Sequence, residues 1–335
     1  MKIAILAPIA WRTPPRHYGP WEQVASNVCE GLVTAGYDIT LFATGDSLTS
    51  AKLEAICTQG YEEDRHQDAK VLECLHISNL MEQASKFDII HNHFDFLPLT
   101  YAGLIQTPVV TTIHGFSSSK IIPVYKKYNS LTNYVSISNA DRNENLGYIA
   151  TVYNGINTKD FQYRESPEDY LLYFGRIHPD KGTAEAIAIA RRSKRKLLLA
   201  GIIQDENYFK TQVEPYLNDN ILFLGQAGPE QRNELLGNAI ALLHPINFEE
   251  PFGLSVAEAM LCGTPVIAFN KGSMPELIQH EKTGFLVNSI EEAIESVEQL
   301  SYISRSACRE WSLAQFSMEK MTGDYLEVYK NVLSR

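Results

Sequence analysis

Residues 155–175 read GINTKDFQYRESPEDYLLYFG. The stretch 155–169 is polar, contains a proline and holds no sustained hydrophobic period, whereas 170–175 is an apolar run of strand length. On both sides of this break, short apolar runs alternate with amphipathic stretches. Before it, strand-length runs stand at 2–7, 38–43, 88–91, 108–113, 134–137 and 150–153; after it, at 170–175, 196–201, 221–225, 240–244 and 265–269. Helical patterns lie between them. In 21–35, Trp21, Val24, Val28, Leu32 and Ala35 share one face, and Gly36 suits the helix end. Such alternation implies a parallel sheet with helices on both faces. The break therefore separates two α/β units. Two such units create a cleft, and the informative residues should lie just after strands. Helical patterns close the chain after about residue 288.

The chain has 335 residues, 44% hydrophobic and 21% charged, so it can bury two cores and is neither disordered nor fibrous. Lys and Arg number 29 against 40 Asp and Glu, a formal charge of −11. Nucleic acid is a poor partner for such a chain, because phosphate-backbone binding draws on cations. A small anion held by a few placed cations and a helix end remains open. The cysteines, at 29, 57, 74, 262 and 308, are odd in number and form no C-x-x-C pair. That argues against a disulfide framework or zinc site and for a reducing cytoplasm. Residues 1–10, MKIAILAPIA, lead into Trp11-Arg12-Thr13-Pro14 without a small-residue cleavage site, so they read as a first buried strand. No uncharged apolar stretch is long enough to span a membrane.

Two segments carry chemistry. In 249–260, EEPFGLSVAEAM, Pro251 suits a helix start. Gly253 lets a ligand approach the first turn, where N–H groups and the helix dipole favour a diphosphate. Glu250 precedes this helix and Glu258 lies further along it. Ionised carboxylates only accept hydrogen bonds, which suits a sugar on one side and a ribose on the other. A capping Glu and a surface Glu are the plainer alternative. In 175–182, GRIHPDKG, Arg176 offers a planar fork and Lys181 a point charge for a diphosphate leaving group. A loop with two solvated cations is the plainer alternative. His114, ending a strand, either caps or fills the core or belongs to a site. His91 and His93 share a strand face, which admits a metal, but no third ligand is evident. Asp46 and Asp95 are isolated, and no D-x-D pair occurs. The basic run 191–196, RRSKRK, reads as a solvated helix end, with contact to anionic lipid headgroups as the alternative.

Together these segments resemble the retaining glycosyltransferases of family 4, which have the GT-B fold. The family's E-x7-E pattern stands as Glu250 and Glu258 inside EEPFGLSVAEAMLCGTPVIAF, and its phosphate motif as YFGRIHPDKG. HYGPWEQVASNVCEGL, HNHFDFLP, TTIHG, YVSISNADR and VYNGIN agree, so the resemblance runs from Met1 to Val287. It implies two Rossmann-like parallel-sheet domains facing a cleft. The acceptor-side N-terminal domain would cover 1–155, a linker 156–169 and the nucleotide-sugar-binding C-terminal domain 170–315. A C-terminal helix, 316–335, would pack back on the N-terminal domain. By the same resemblance Glu250 would bind donor-sugar hydroxyls, Glu258 the ribose, and Arg176 and Lys181 the diphosphate. Amides near Phe252, Gly253 and Leu254 would face phosphate or sugar. His114 would lie near the donor sugar with its carbonyl close to the anomeric carbon, and Gly19 in the loop between the first strand and first helix. Trp21, Glu22, His91, His93 and Asp95 are the acceptor-side candidates. Many relatives carry two adjacent glycines where this chain has Gly19-Pro20, and proline has no N–H to offer.

The implied reaction moves a hexose from a nucleotide diphosphate sugar to a hydroxyl with retention. His114, Glu250, Arg176 and Lys181 form the catalytic set, with no metal, no cofactor and no evident protein partner. UDP-glucose is the favoured donor and GDP-mannose its competitor; the acceptor is not readable. A nucleotide-sugar epimerase on the same fold and a non-catalytic nucleotide-sugar-binding protein are the rival readings. The expected location is the cytoplasm, at the inner face of the membrane if the basic run meets lipid.

Overall fold

The computed structural model describes residues 1–116 and 118–335. The chain divides into unit 1, Met1–Gly155 with Met318–Arg335, and unit 2, Ile156–Ser317. Unit 1 holds a seven-stranded sheet of β1 Lys2–Leu6, β2 Asp38–Phe42, β3 Lys52–Glu54, β4 Ile89–Asn92, β5 Val109–Ile113, β6 Asn133–Ser136 and β7 Tyr148–Thr151. Their order is β3-β2-β1-β4-β5-β6-β7, and all pairs are parallel. Its helices are α1 Pro20–Thr34, α2 Ala69–Met81 and α3 Ile122–Tyr128. Unit 2 holds β8 Leu171–Phe174, β9 Leu197–Ala200, β10 Ile221–Phe223, β11 Ala241–His244, β12 Val266–Phe269 and β13 Gly284–Val287, in the order β10-β9-β8-β11-β12-β13, again parallel. Its helices are α4 Thr183–Arg192, α5 Glu206–Tyr208, α6 Pro229–Asn238, α7 Leu254–Leu261, α8 Met274–Leu277, α9 Ile290–Glu298 and α10 Arg305–Phe316. The last helix, α11 Met318–Leu333, returns to unit 1.

Both units are Rossmann-like parallel sheets. The inner strands are buried along nearly their whole length because helices cover both faces, so side chains of either parity point into a core. Ile3, Ala4, Ile5 and Leu6 of β1 and Leu197, Leu199 and Ala200 of β9 have no exposed surface. Each such Ile or Leu contributes roughly 1.5–3 kcal/mol through burial. Every expected strand run forms a strand. Two strands were not expected, β3 and β13, and both lie at a sheet edge. Strand β3 is three residues long with Lys52 and Glu54 at its ends, and β13 opens on Gly284, so neither shows an apolar run of useful length.

The stretch 156–169 is packed on unit 2 rather than free. Ile156 bridges Ser317, and Phe161 is buried. The backbone N–H groups of Arg164 and Glu168 donate to Cys262 O (3.0 Å) and Asn238 O (2.7 Å). Its polarity reflects outward side chains, while its backbone is anchored. Unit 2 thus begins at Ile156, fourteen residues before the 170 expected from composition. In unit 1, α11 lies on α1, with Tyr325 and Tyr329 fully buried.

Strand order reverses between β1 and β4 in unit 1 and between β8 and β11 in unit 2. In open α/β sheets, the strand ends at such a reversal form a crevice suited to ligands.

Candidate functional site

In unit 2, β8 leads through Arg176 to a short turn, Pro179–Lys181, and then α4; β11 leads from His244 through 245–253 to α7. The two loops are tied together. Asn247 donates its backbone N–H to Asp180 O (2.7 Å) and its side-chain amide to Pro179 O (3.2 Å) and Glu185 Oε1 (2.7 Å). Gly182, at φ +72°, has Pro245 O 1.8 Å from where a Cβ would stand, so only glycine allows this approach. The result brings Lys181 Nζ to 2.5 Å from Glu250 Oε2, with Lys181 also 4.5 Å above the Phe248 ring. His244 Nε2 lies 3.7 Å from the same Glu250 oxygen, too far for a formed hydrogen bond but close enough to act through its polarity. Burial pushes the Glu250 carboxyl up; His244 and Lys181 outweigh it and hold the group down to about 2.

Helix α7 starts on Gly253, at φ +93°, with no side-chain cap. A Cβ there would stand 2.8 Å from Met274 Cε. Glycine at the cap offers no side chain to the positive end of the helix, the arrangement that suits an anion. The loop before it is pinned by 272–273. Gly272 N–H donates to Glu249 Oε2 (2.5 Å), Ser273 N–H to Glu250 O (2.9 Å) and Ser273 Oγ–H to Phe252 O (2.6 Å). Glu258 is only 4% exposed and ion-pairs with Arg232 of α6, whose guanidinium stacks 5.0 Å from the Phe161 ring centre. Burial pushes the Glu258 carboxyl up, with Arg232 opposing. Arg176 turns to Gln204, to which it donates.

In unit 1 the corresponding strand ends carry rings. Gly19 caps α1, with Pro20 at its first position. Trp21 stacks on His114, with centroids 5.6 Å apart and planes 23° apart. His114 Nε2 and His93 Nδ1 share a hydrogen bond of 2.9 Å, and the His91 and His93 rings are 4.0 Å apart. His91 Nε2 pairs with Thr112 Oγ1 and His91 Nδ1 with Tyr329 Oη, both at 2.7 Å, while Tyr325 Oη meets Thr112 Oγ1 at 2.7 Å. Burial lowers all three histidines, His91 and His114 to about 3 and His93 well below its usual value, so the cluster is neutral. Glu22 is buried, and that burial pushes its carboxyl up to about 7.

One acceptor-side expectation is corrected. Both ring nitrogens of His91 are engaged, by Thr112 and Tyr329, so it buttresses the cluster rather than facing a ligand. Asp95, at φ +88°, is half-buried and accepts from the Tyr125 hydroxyl of α3 through one carboxylate oxygen. Trp21, Glu22, His93 and His114 remain grouped at the strand ends. In unit 2, Lys181, Glu250 and the Phe252-Gly253-Leu254 turn are brought together, while Glu258 sits with Arg232 and Arg176 with Gln204. Sequence reasoning missed His244, Arg232 and Ser273. His244 had a visible signal, as the last residue of a strand feeding the glutamate motif; the other two reach the site only through tertiary packing.

The basic run is largely spoken for. Arg191 stacks 4.9 Å from the Tyr216 ring, Arg192 pairs with Glu291 and Arg195 with Asp169. Among the described residues no group of three or more His, Cys, Asp or Glu is placed to hold a metal, and no helix is long and apolar enough to cross a membrane.

Residues 156–311 match the family described as Glycosyl transferases group 1, and residues 21–160 the one described as Glycosyltransferase Family 4. An uncharacterized glycosyltransferase of Methanocaldococcus jannaschii is 23% identical, over 98% of this chain and 94% of its own length. The N-acetyl-alpha-D-glucosaminyl L-malate synthase of Bacillus anthracis is 28% identical, over 75% of this chain and 76% of its own. Among solved structures, HepE of Anabaena in complex with UDP and glucose superposes with a TM-score of 0.75 at 19% identity, covering 98% of this chain and 99% of that one.

Proposed function

The chain belongs to the family 4 type of glycosyltransferases with the GT-B fold, and from that premise we propose that it transfers a hexose from a nucleotide diphosphate sugar, UDP-glucose first, to an acceptor hydroxyl with retention of configuration. The observation that carries this reading is the Lys181–Glu250 pair, 2.5 Å apart, beside the start of α7, which has no side-chain cap. HepE, of the same fold, is solved with UDP and glucose, which supports a UDP-hexose donor.

Breaking the donor's anomeric bond builds negative charge on the diphosphate and positive charge on the sugar ring. Lys181 and the α7 N-terminus answer the first without a metal ion, joined by Arg176 once it leaves Gln204. Glu250, ionised across physiological pH, accepts hydrogen bonds from sugar hydroxyls and fixes the Lys181 ammonium. Glu258 accepts from the ribose. The His114 ring is neutral, so it adds no like charge near a developing cation, and its backbone carbonyl is assigned to the anomeric centre. The acceptor proton passes to the departing phosphate. Trp21, Glu22 and His93 are assigned to the acceptor side.

The test is calorimetric binding of a donor panel that includes UDP-glucose and GDP-mannose, then acceptor screening with mass detection of the product. The expected result is tightest binding of UDP-glucose and a product one hexose heavier than its acceptor. Donor isomerisation without acceptor, or no donor binding at all, contradicts the reading.

A further inference from the structure

Glu258 lies in the wall of unit 2 with 4% of its surface exposed. An ionised carboxylate so buried needs a partner, and burying it alone would favour the protonated form. The partner comes from a different helix. Arg232 of α6 reaches across to the Glu258 Oε1 atom of α7, and its guanidinium is clamped from the other side by the buried Phe161 ring, 5.0 Å from the ring centre. Arginine suits this place because its planar head can stack on a ring and donate in its plane at once, and because it stays charged.

The other groups facing Glu258 do not help. Asp160, in the turn before Phe161, is a second carboxyl that raises Glu258 further, and Cys262 of α7's C-terminal end is a thiol whose own ionisation Glu258 opposes. Arg305 and Arg309 of α10 lie beside Cys262 and are otherwise committed. Arg305 donates to Arg164 O (2.7 Å), Ala239 O (2.9 Å) and Gly237 O (2.6 Å), and Arg309 to Leu261 O (2.6 Å). Arg232 is thus the cation paired with Glu258 among the described residues.

We propose that Arg232 is a positioning residue: it fixes Glu258 as a charged, oriented acceptor for the ribose of the nucleotide, without touching the nucleotide itself. The inference rests on the assignment of Glu258 to the ribose made above. One carboxylate oxygen is occupied by the guanidinium, so the ribose hydroxyls are left to the other, and the ring stack at Phe161 determines which way the carboxylate faces. Among the described residues Arg232 supplies the pull toward ionisation, against burial and Asp160, so losing it moves the Glu258 carboxyl further up, toward the protonated form that a rise in pH reverses.

The test uses the full chain and UDP as the probe, with calorimetric titrations from about pH 6.5 to about pH 9 of wild type, R232M, R232K and E258Q. Affinities are compared as the ratio of variant to wild type at each pH, so that titration of UDP itself cancels. R232M is expected to bind roughly tenfold more weakly at the acid end, the scale of one charge-assisted hydrogen bond, and to approach wild type at the alkaline end. R232K, which keeps the charge, is expected to stay within about threefold of wild type at every pH, with less precise orientation. E258Q is expected to be weak and flat with pH. If E258Q binds UDP as wild type does, the ribose assignment itself falls. If E258Q is weak but R232M binds normally, or is weakened equally at all pH values, the ribose assignment stands and the role given to Arg232 is overturned. Thermal melting of R232M and R232K identifies a fold defect; should R232M fail to fold, R232Q, which keeps a polar head without the charge, takes its place: the same loss at the acid end is expected, and wild-type-like or pH-independent binding by a folded R232Q would overturn the proposal.

Discussion

At the strand ends of unit 2, a carboxylate is held ionised at about 2 by Lys181 and His244 against the pull of burial, and a second pairs with Arg232. At the strand ends of unit 1, three histidines are packed ring to ring, and the same burial keeps them uncharged. Both places lie beside a reversal of strand order, so the fold offers the same kind of crevice twice. What differs is whether burial is opposed by a partner charge. In unit 2 it is, and the place can bind a charged group and stabilise charge as it develops. In unit 1 it is not, and the place is a neutral wall of packed rings.

The largest effect should come from Lys181→Ala. It removes a cation that acts on developing charge, and turnover should fall at least about a hundredfold, the scale for losing one charge-stabilising donor. The protein should stay folded, because the loops remain tied by Asn247, with a lowered melting temperature as Glu250 loses a buried partner. Unchanged turnover at saturating donor would erase the contrast between the units.

Next comes Tyr329→Phe in unit 1, where the opposite pattern is expected. It leaves the buried His91 Nδ1 without its partner, at a cost of about 1–3 kcal/mol. For a unit of this size that is about 2–4 °C of melting temperature per kcal/mol, read by calorimetry. UDP binding, read by titration, should not change, and a loss of binding without a loss of stability would place the histidine cluster in nucleotide recognition. The same cluster sets a pH dependence. The folded values of His91 and His114, about 3, lie below the usual value of 6.5. The stability these rings contribute is therefore present above about pH 6.5 and is lost as the pH falls toward their folded values. Ring-proton resonance positions of His91 and His114 should stay those of neutral imidazole from about pH 8 down to about pH 5. Titration of either ring near 6.5 would show that the wall is wet.

The smallest effect, none, is expected from a chelator. With Lys181, Arg176 and a helix end acting on the diphosphate, turnover in EDTA should match turnover in magnesium. Loss of activity restored by a divalent ion would make the charged site of unit 2 incomplete as described.

The contrast between the units also explains what could be read without coordinates. Inner strands announce themselves because both of their faces are buried, as in KIAIL and LLLA. Edge strands β3 and β13 do not: β3 is three residues of mixed composition, and the apolar part of β13 is only Phe285-Leu286-Val287 behind a glycine. The positions of Lys181, Glu250 and Gly253 in loops after strands were legible because a strand run, a charge and a glycine stand within a few residues of one another. The partners that tune them were not. Arg232 reads as any exposed helical arginine until α6 is laid against α7, and Ser273 as a loop serine until it bonds Glu250 O. The acceptor-side residues were hardest, because a strand-end histidine looks alike whether it meets a ligand or, like His91, a tyrosine on a helix over two hundred residues away.

The central claim is that α7 of unit 2 holds the donor with the sugar at Glu250 and the ribose at Glu258. Its most direct test is paired calorimetric titration of Glu250→Gln and Glu258→Gln with UDP-glucose and with free UDP. Glu258→Gln should weaken both ligands by roughly tenfold to a hundredfold, since both contain the ribose and a hydrogen bond to a charged group is worth about 1.5–3 kcal/mol. Glu250→Gln should weaken UDP-glucose and spare UDP, which lacks the sugar. The reverse pattern would turn the donor end for end along the helix, and indifference of both variants to both ligands would contradict the account outright.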